Sequence, residues 1–239
     1  MTTVGMKRLV LLIGGICGSF LVGWQLLLNV QWILADKQAP ETGAQVKEVL
    51  MFPAQVVGTD LIALTPALYE GGYPENASGE YVVDVAALVL QNTASTGIEN
   101  ARVVLQWEGG SYIYEVDMLP AGGTVLVVDK KRQPFAIHRW TACYGDQRIG
   151  EGPWDTGEIL SMDEVDMGMI YVTNTTDNKL TDVRIYYKSY LPQEQMYVGG
   201  ISYCMGISTL DVGEKKALRP FHYANGYSKV VRVVAARRE

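Results

Sequence analysis

Residues 84–103 (DVAALVLQNTASTGIENARV) lie without gaps over residues 166–185 (DMGMIYVTNTTDNKLTDVRI), a shift of 82 residues. Asp84/Asp166, Asn92/Asn174, Thr93/Thr175 and Arg102/Arg184 are identical, and Leu88/Ile170, Leu90/Val172, Ile98/Leu180 and Val103/Ile185 match in apolar character. A chain that repeats a strand–turn–strand element is constrained to build one small unit twice. A period of about 80 residues suits a small β-sandwich and is too long for a solenoid unit. Turn signals recur between strand-length apolar runs, and helical periodicity is almost absent, which points to antiparallel sheets.

The expected fold class is therefore all-β: two immunoglobulin-like antiparallel β-sandwiches in tandem after an N-terminal transmembrane helix. The expected organisation is a cytoplasmic N-terminus (1–8), a signal-anchor helix (9–34), a stalk (35–54), a first module (55–148), a linker (149–160) and a second module (161–239). In the first module, strands are expected at 81–91, 101–107, 112–118 and 124–128, with a further one within 135–144. In the second they are expected at 166–173, 182–190, 195–205, 209–212, 215–223 and 229–235. An earlier strand signal at 55–64 is interrupted by Pro66, and the Gly-rich stretch 145–156 reads as the boundary. A single larger sandwich with duplicated halves is the alternative, because residues 44–79 have no counterpart in the second repeat.

Residues 9–28 (LVLLIGGICGSFLVGWQLLL) carry no charge. Twenty helical residues span about 30 Å, the thickness of a hydrocarbon core. Lys7 and Arg8 precede them, which keeps the N-terminus in the cytoplasm and sends the rest across the membrane. A cleaved signal peptide is the rival reading, but no small-x-small site follows promptly. Gly14 with Gly18, and Gly15 with Ser19 and Gly23, form small-residue ridges that allow helix–helix packing and hence a homo-oligomer through the anchor. Beyond the anchor, 18 basic residues face 26 acidic ones. That surface repels nucleic acid and anionic headgroups, which leaves a protein or another cell-envelope component as the expected partner.

The repeated element reads strand, Asn-Thr, polar turn, apolar residue, strand. The Asn can bond its own backbone and fix the turn, and Asn92 and Asn174 are its marks. Leu119-Pro120-Ala121-Gly122-Gly123 and Leu210-Asp211-Val212-Gly213-Glu214 follow as matching turns. Over about 60 residues per repeat this pattern resembles the immunoglobulin-like modules of bacterial surface proteins, of the FxLYD or CARDB kind. The chain departs from the FxLYD signature at Leu105-Gln106-Trp107-Glu108-Gly109. The resemblance implies spacer or binding modules without catalytic residues.

Catalytic and metal chemistry find little support. His138 and His222 are the two histidines, and neither has a second ligand at zinc spacing. Cys143 and Cys204 are the two thiols outside the anchor. They allow a disulfide between the modules, two independent thiols, or a cysteine nucleophile beside a histidine. The cluster Asp163-Glu164-Asp166 lacks calcium-loop spacing. No cofactor or metal is expected. Tyr112 and Tyr114 share a strand face and, with Trp107, form a candidate aromatic binding face for sugar rings. Asn76 and Asn174 head glycosylation sequons. The expected function is non-enzymatic: a membrane-anchored extracytoplasmic protein for binding or structural display, with a carbohydrate-binding or adhesin module, or an accessory subunit of an envelope assembly, as the alternatives.

Overall fold

The computed structural model describes residues 50–76, 78–150, 154, 159–165 and 168–238, within a unit spanning Glu48–Glu239. The expected anchor, with Gly14, Gly15, Gly18, Ser19 and Gly23, lies outside the described residues. The described strands are β1 (Ala54–Gln55), β2 (Leu61–Gly72), β3 (Tyr81–Asn92), β4 (Ile98–Trp107), β5 (Gly110–Leu119), β6 (Thr124–Val128), β7 (Trp140–Ile149), β8 (Leu160–Val165), β9 (Met169–Asn174), β10 (Lys179–Leu191), β11 (Met196–Leu210), β12 (Lys215–Leu218) and β13 (Ser228–Arg238).

The strand pairing repeats. β3 lies between β2 and β6, and β4 between β5 and β7. In the same chain order, β9 lies between β8 and β12, and β10 between β11 and β13. All of these ladders are antiparallel. Each set of six strands thus forms two facing three-stranded layers, a sandwich-like arrangement. One core gathers Leu88, Leu90, Val103, Leu105, Tyr114 and Cys143 from the first set, and another gathers Ile170, Val172, Val183, Ile185 and Ile207 from the second.

The two sets are joined by a short parallel ladder that pairs Tyr197 with Val125 and Val198 with Leu126. It makes one seven-stranded sheet, ordered β1-β2-β3-β6-β11-β10-β13. Tyr197 and Val231 of the second half are buried in the first half's core. The packing between halves is therefore continuous with the packing inside them.

The Asn turn recurs atom for atom. Asn92 Nδ2 donates to the carbonyls of Thr96 (2.9 Å), Leu119 (3.3 Å) and Pro120 (3.1 Å), and its Oδ1 accepts from Ala94 N (3.0 Å). Asn174 Nδ2 donates to Asn178 (2.8 Å), Leu210 (3.1 Å) and Asp211 (3.2 Å), and its Oδ1 accepts from Thr176 N (2.9 Å). Both side chains are buried. Each ties the β3–β4-type turn to the β5–β6-type turn, so one amide fixes two chain reversals. The amide of Asn174 is buried and fully engaged, whereas Asn76 is exposed.

Several boundaries differ from expectation. β2 runs through Pro66, whose missing N–H falls on the side of the strand away from β3. β11 is one strand of 15 residues, where two were expected. The second module's first strand was expected at 166–173, yet β8 precedes it and pairs with β9 from Leu160 to Val165. Gly145, expected at the start of the Gly-rich boundary stretch, is inside β7; a Cβ there would meet Arg102 O at 2.2 Å. β3 is buried on consecutive residues because its outer face is covered too. Tyr73, Val82, Val85, Ala87 and Val128 cluster there, and Tyr73 Oη donates to Asp129 O (3.2 Å).

Candidate functional site

The sequence-expected site residues do not converge. Cys143 is buried in the first core and Cys204 is exposed on β11, and both are free thiols. Of the alternatives the sequence leaves open, the structure holds two separate thiols in different environments. Burial pushes the Cys143 thiol up to about 12, which removes the thiolate needed for a nucleophile. Neither thiol is bonded to either imidazole. His138 stacks on Trp107 (centroids 4.1 Å apart, planes 7° apart), and His222 lies against Tyr203 (5.0 Å).

The aromatic face is also corrected. Tyr112 and Tyr114 are 1% and 0% exposed, and Trp107 packs half-buried against Tyr112 (4.6 Å). The shared strand face is real, but it points into the sandwich, where cross-strand aromatic pairs fill the core. The residues that suggested sugar stacking are core residues. Asp163 pairs with Lys215 (2.9 Å), and Glu164 accepts from Tyr223 Oη (2.8 Å) and Gly226 N (3.0 Å), so these carboxylates fasten loops. Among the described residues no group of His, Cys, Asp and Glu is arranged to hold a metal ion, and no helix is long and apolar enough to cross a membrane.

What the structure does bring together is a polar seam between the halves. Opposite Lys188 the β10–β11 register jumps: Tyr187 pairs with Tyr203, but Ser189 pairs with Val198. The bulged residues 199–202 wrap the Lys188 side chain, which is completely buried. Its Nζ donates to the carbonyls of Asp117 (2.7 Å), Gly200 (2.8 Å) and Ile201 (2.8 Å), which uses all three ammonium protons. Glu75 enters from the β2–β3 loop. Its Oε1 accepts from Val128 N (2.8 Å) and its Oε2 from Gly200 N (2.7 Å). One carboxylate thus bridges β6 and β11 just beyond their short ladder. Gly200 is needed there, since a Cβ would lie 1.8 Å from Glu115 O.

Burial pushes the Glu75 carboxyl up to about 7, against the opposing pull of its two backbone donors and of Lys188. Burial pushes the Lys188 ammonium down to about 8, with Asp117 and Glu75 opposing the shift. Two further side-chain links join the halves. Ser202 Oγ donates to Asp117 Oδ2 (2.5 Å), and Glu99 accepts from Arg148 of the first half (2.8 Å) and Arg232 of the second (2.7 Å). The Arg232 hydrogen bond holds the Glu99 carboxyl below its usual range.

A cleft of about 500 Å³ opens beside Glu75, with Arg102, Asp117, Lys130, Arg132 and Asp146 on its walls. A second, of about 490 Å³, lies where Tyr190, Tyr197 and Lys229 meet the Gly122–Gly123 turn. General acid–base work requires a group that reaches a substrate atom. Lys188 is sealed and its protons are spent, while both Glu75 oxygens are held by backbone donors. The arrangement is a lock between two halves. No charged strand pattern announced it; the signals were a lone lysine in the otherwise uncharged run Ile185–Leu191 and the Gly199-Gly200 pair. Compared with family models, curated proteins and solved structures, the chain matches none.

Proposed function

We propose that this chain is a non-enzymatic, membrane-anchored extracytoplasmic protein whose two immunoglobulin-like modules form a rigid body for binding or structural display at the cell envelope. The observation that carries this reading is the repeated six-strand pairing welded across one seam, with Lys188 buried in it and the half-buried Glu75 bridging it. Freely jointed modules have wet, polar junctions; a junction of continuous sheet and buried side chains suits a part that must hold its shape. Layers that order β2-β3-β6 against β5-β4-β7 resemble an immunoglobulin-like sandwich that lacks its last strand. The apolar, uncharged run at 9–28 supports anchoring, and the acidic remainder supports a life away from anionic surfaces.

Membrane extraction with external proteolysis of intact cells tests this reading. The full chain is expected to stay in the membrane pellet through alkaline carbonate, and external protease is expected to remove the part after residue 35. Release of the chain by carbonate, or protection of that part in intact cells, would refute it.

A further inference from the structure

Most strands with an unpaired flank among the described residues carry a device that discourages further pairing. β2 has Pro66 and Glu70, β5 has Glu115 and Asp117, and β7 has Asp146 and Arg148. β8 has Asp163 and Glu164, β12 has Lys215 and Lys216, and β13 has Lys229 and Arg232. Charges and proline on a sheet edge keep other chains from pairing with it. β11 is the long exception: its 15 residues contain no charge and no proline. That is the composition of β6 or β9, which have neighbours on both sides. β11 has β10 along one flank, but its other flank is paired only at Tyr197 and Val198.

The remaining flank has defined ends. At one end Lys188 takes the carbonyls of Gly200 and Ile201, and Ser202 bonds Asp117. At the other, Lys216 Nζ donates to Thr209 O (2.5 Å). Between them, residues 203–208 (YCMGIS) have no partner on this flank among the described residues. Ile207 is buried and Tyr203 and Met205 are half-buried, whereas Cys204, Gly206 and Ser208 are exposed and small. A six-residue window is an ordinary strand length.

We propose that this window pairs antiparallel with the same window of a second copy of this chain, about a two-fold axis that sets Met205 opposite its own copy. Self-pairing covers the window on both copies, leaves no new edge, and closes as a dimer. A foreign strand would bring its own unpaired flank. The ladder extends the sheet across the same flank of β11 that meets β6. Its geometry puts the two Cys204 Cα atoms about 8 Å apart, from a two-residue offset and the spacing between strands. The proposal does not depend on the anchor.

The test uses the full chain in detergent micelles, with Cys17→Ser so that Cys204 is the accessible thiol. A short bismaleimide is the probe, and light scattering gives the mass. Dimeric mass and a covalent dimer through Cys204 are expected. Gly206→Lys is expected to cut the cross-linked fraction at least tenfold without shifting Tm, because a Cβ there meets only Val183 O at 3.9 Å. A monomeric mass with no cross-link would overturn the proposal. So would a dimer that Gly206→Lys leaves intact, since association would then lie elsewhere, the anchor included.

Discussion

At the scale of single residues, two side chains decide more than their size suggests. Asn92 and Asn174 each hold two turns together from a buried position. Removing a buried amide strands its carbonyl partners, at about 1–3 kcal/mol per site. Asn92→Ala and Asn174→Ala are each expected to lower the unfolding free energy from urea titration by that order, and a change under a few tenths of a kcal/mol would show that the turns hold themselves. Lys188 and Glu75 behave as a pair. Lys188→Met leaves three carbonyls and the half-buried Glu75 carboxyl uncompensated, at about 3–5 kcal/mol, and Lys188→Met with Glu75→Gln should cost less than the two single changes combined. Their titration gives a pH signature. Folded Glu75 keeps a proton that the unfolded chain loses, so stability falls as pH rises from 4.5 to about 7. Folded Lys188 gives up a proton that the unfolded chain retains, so stability rises from about 8 to 10.5. Thermal unfolding across this range should show a shallow minimum near neutral pH that the double variant flattens.

At the scale of elements, glycines separate local strain from close approach. Gly200→Ala would press a Cβ to 1.8 Å from Glu115 O, which only backbone movement relieves, and should cost about 3 kcal/mol or more. Gly122→Ala meets open space and pays only for its left-handed φ of +68°, about 1 kcal/mol. Equal losses in calorimetry would show that the seam does not constrain Gly200. The strands that were legible are those whose signals are local. β3, β4, β5 and β6 come from apolar runs between turns, and the Asn motif was visible because identical chemistry recurs 82 residues on. β8 was hidden because Met162-Asp163-Glu164 reads as the solvated entry to the strand at 166–173, and only its pairing with β9 makes it a strand of its own. Tyr112 and Tyr114 were placed on one face correctly, but period two does not say which face is inward.

At the scale of the whole molecule, the repeat and the all-β class were legible and the weld between halves was not. A parallel ladder of two residue pairs has no periodicity, and its support comes from residues far apart: Glu75 and Gly200 are separated by 125 positions. Non-local polar contacts of this kind leave no pattern in any window of sequence. The consequence is that the two sandwiches should unfold as one body. Hydrogen exchange of the full chain measures this most directly, by following amides in β6 and in residues 196–200 of β11 beside those in both cores. Protection at the seam equal to that of the Leu88 and Ile185 strands is the expected result. Seam amides that exchange orders of magnitude faster than both cores would mean two modules that merely touch, and would contradict the lock.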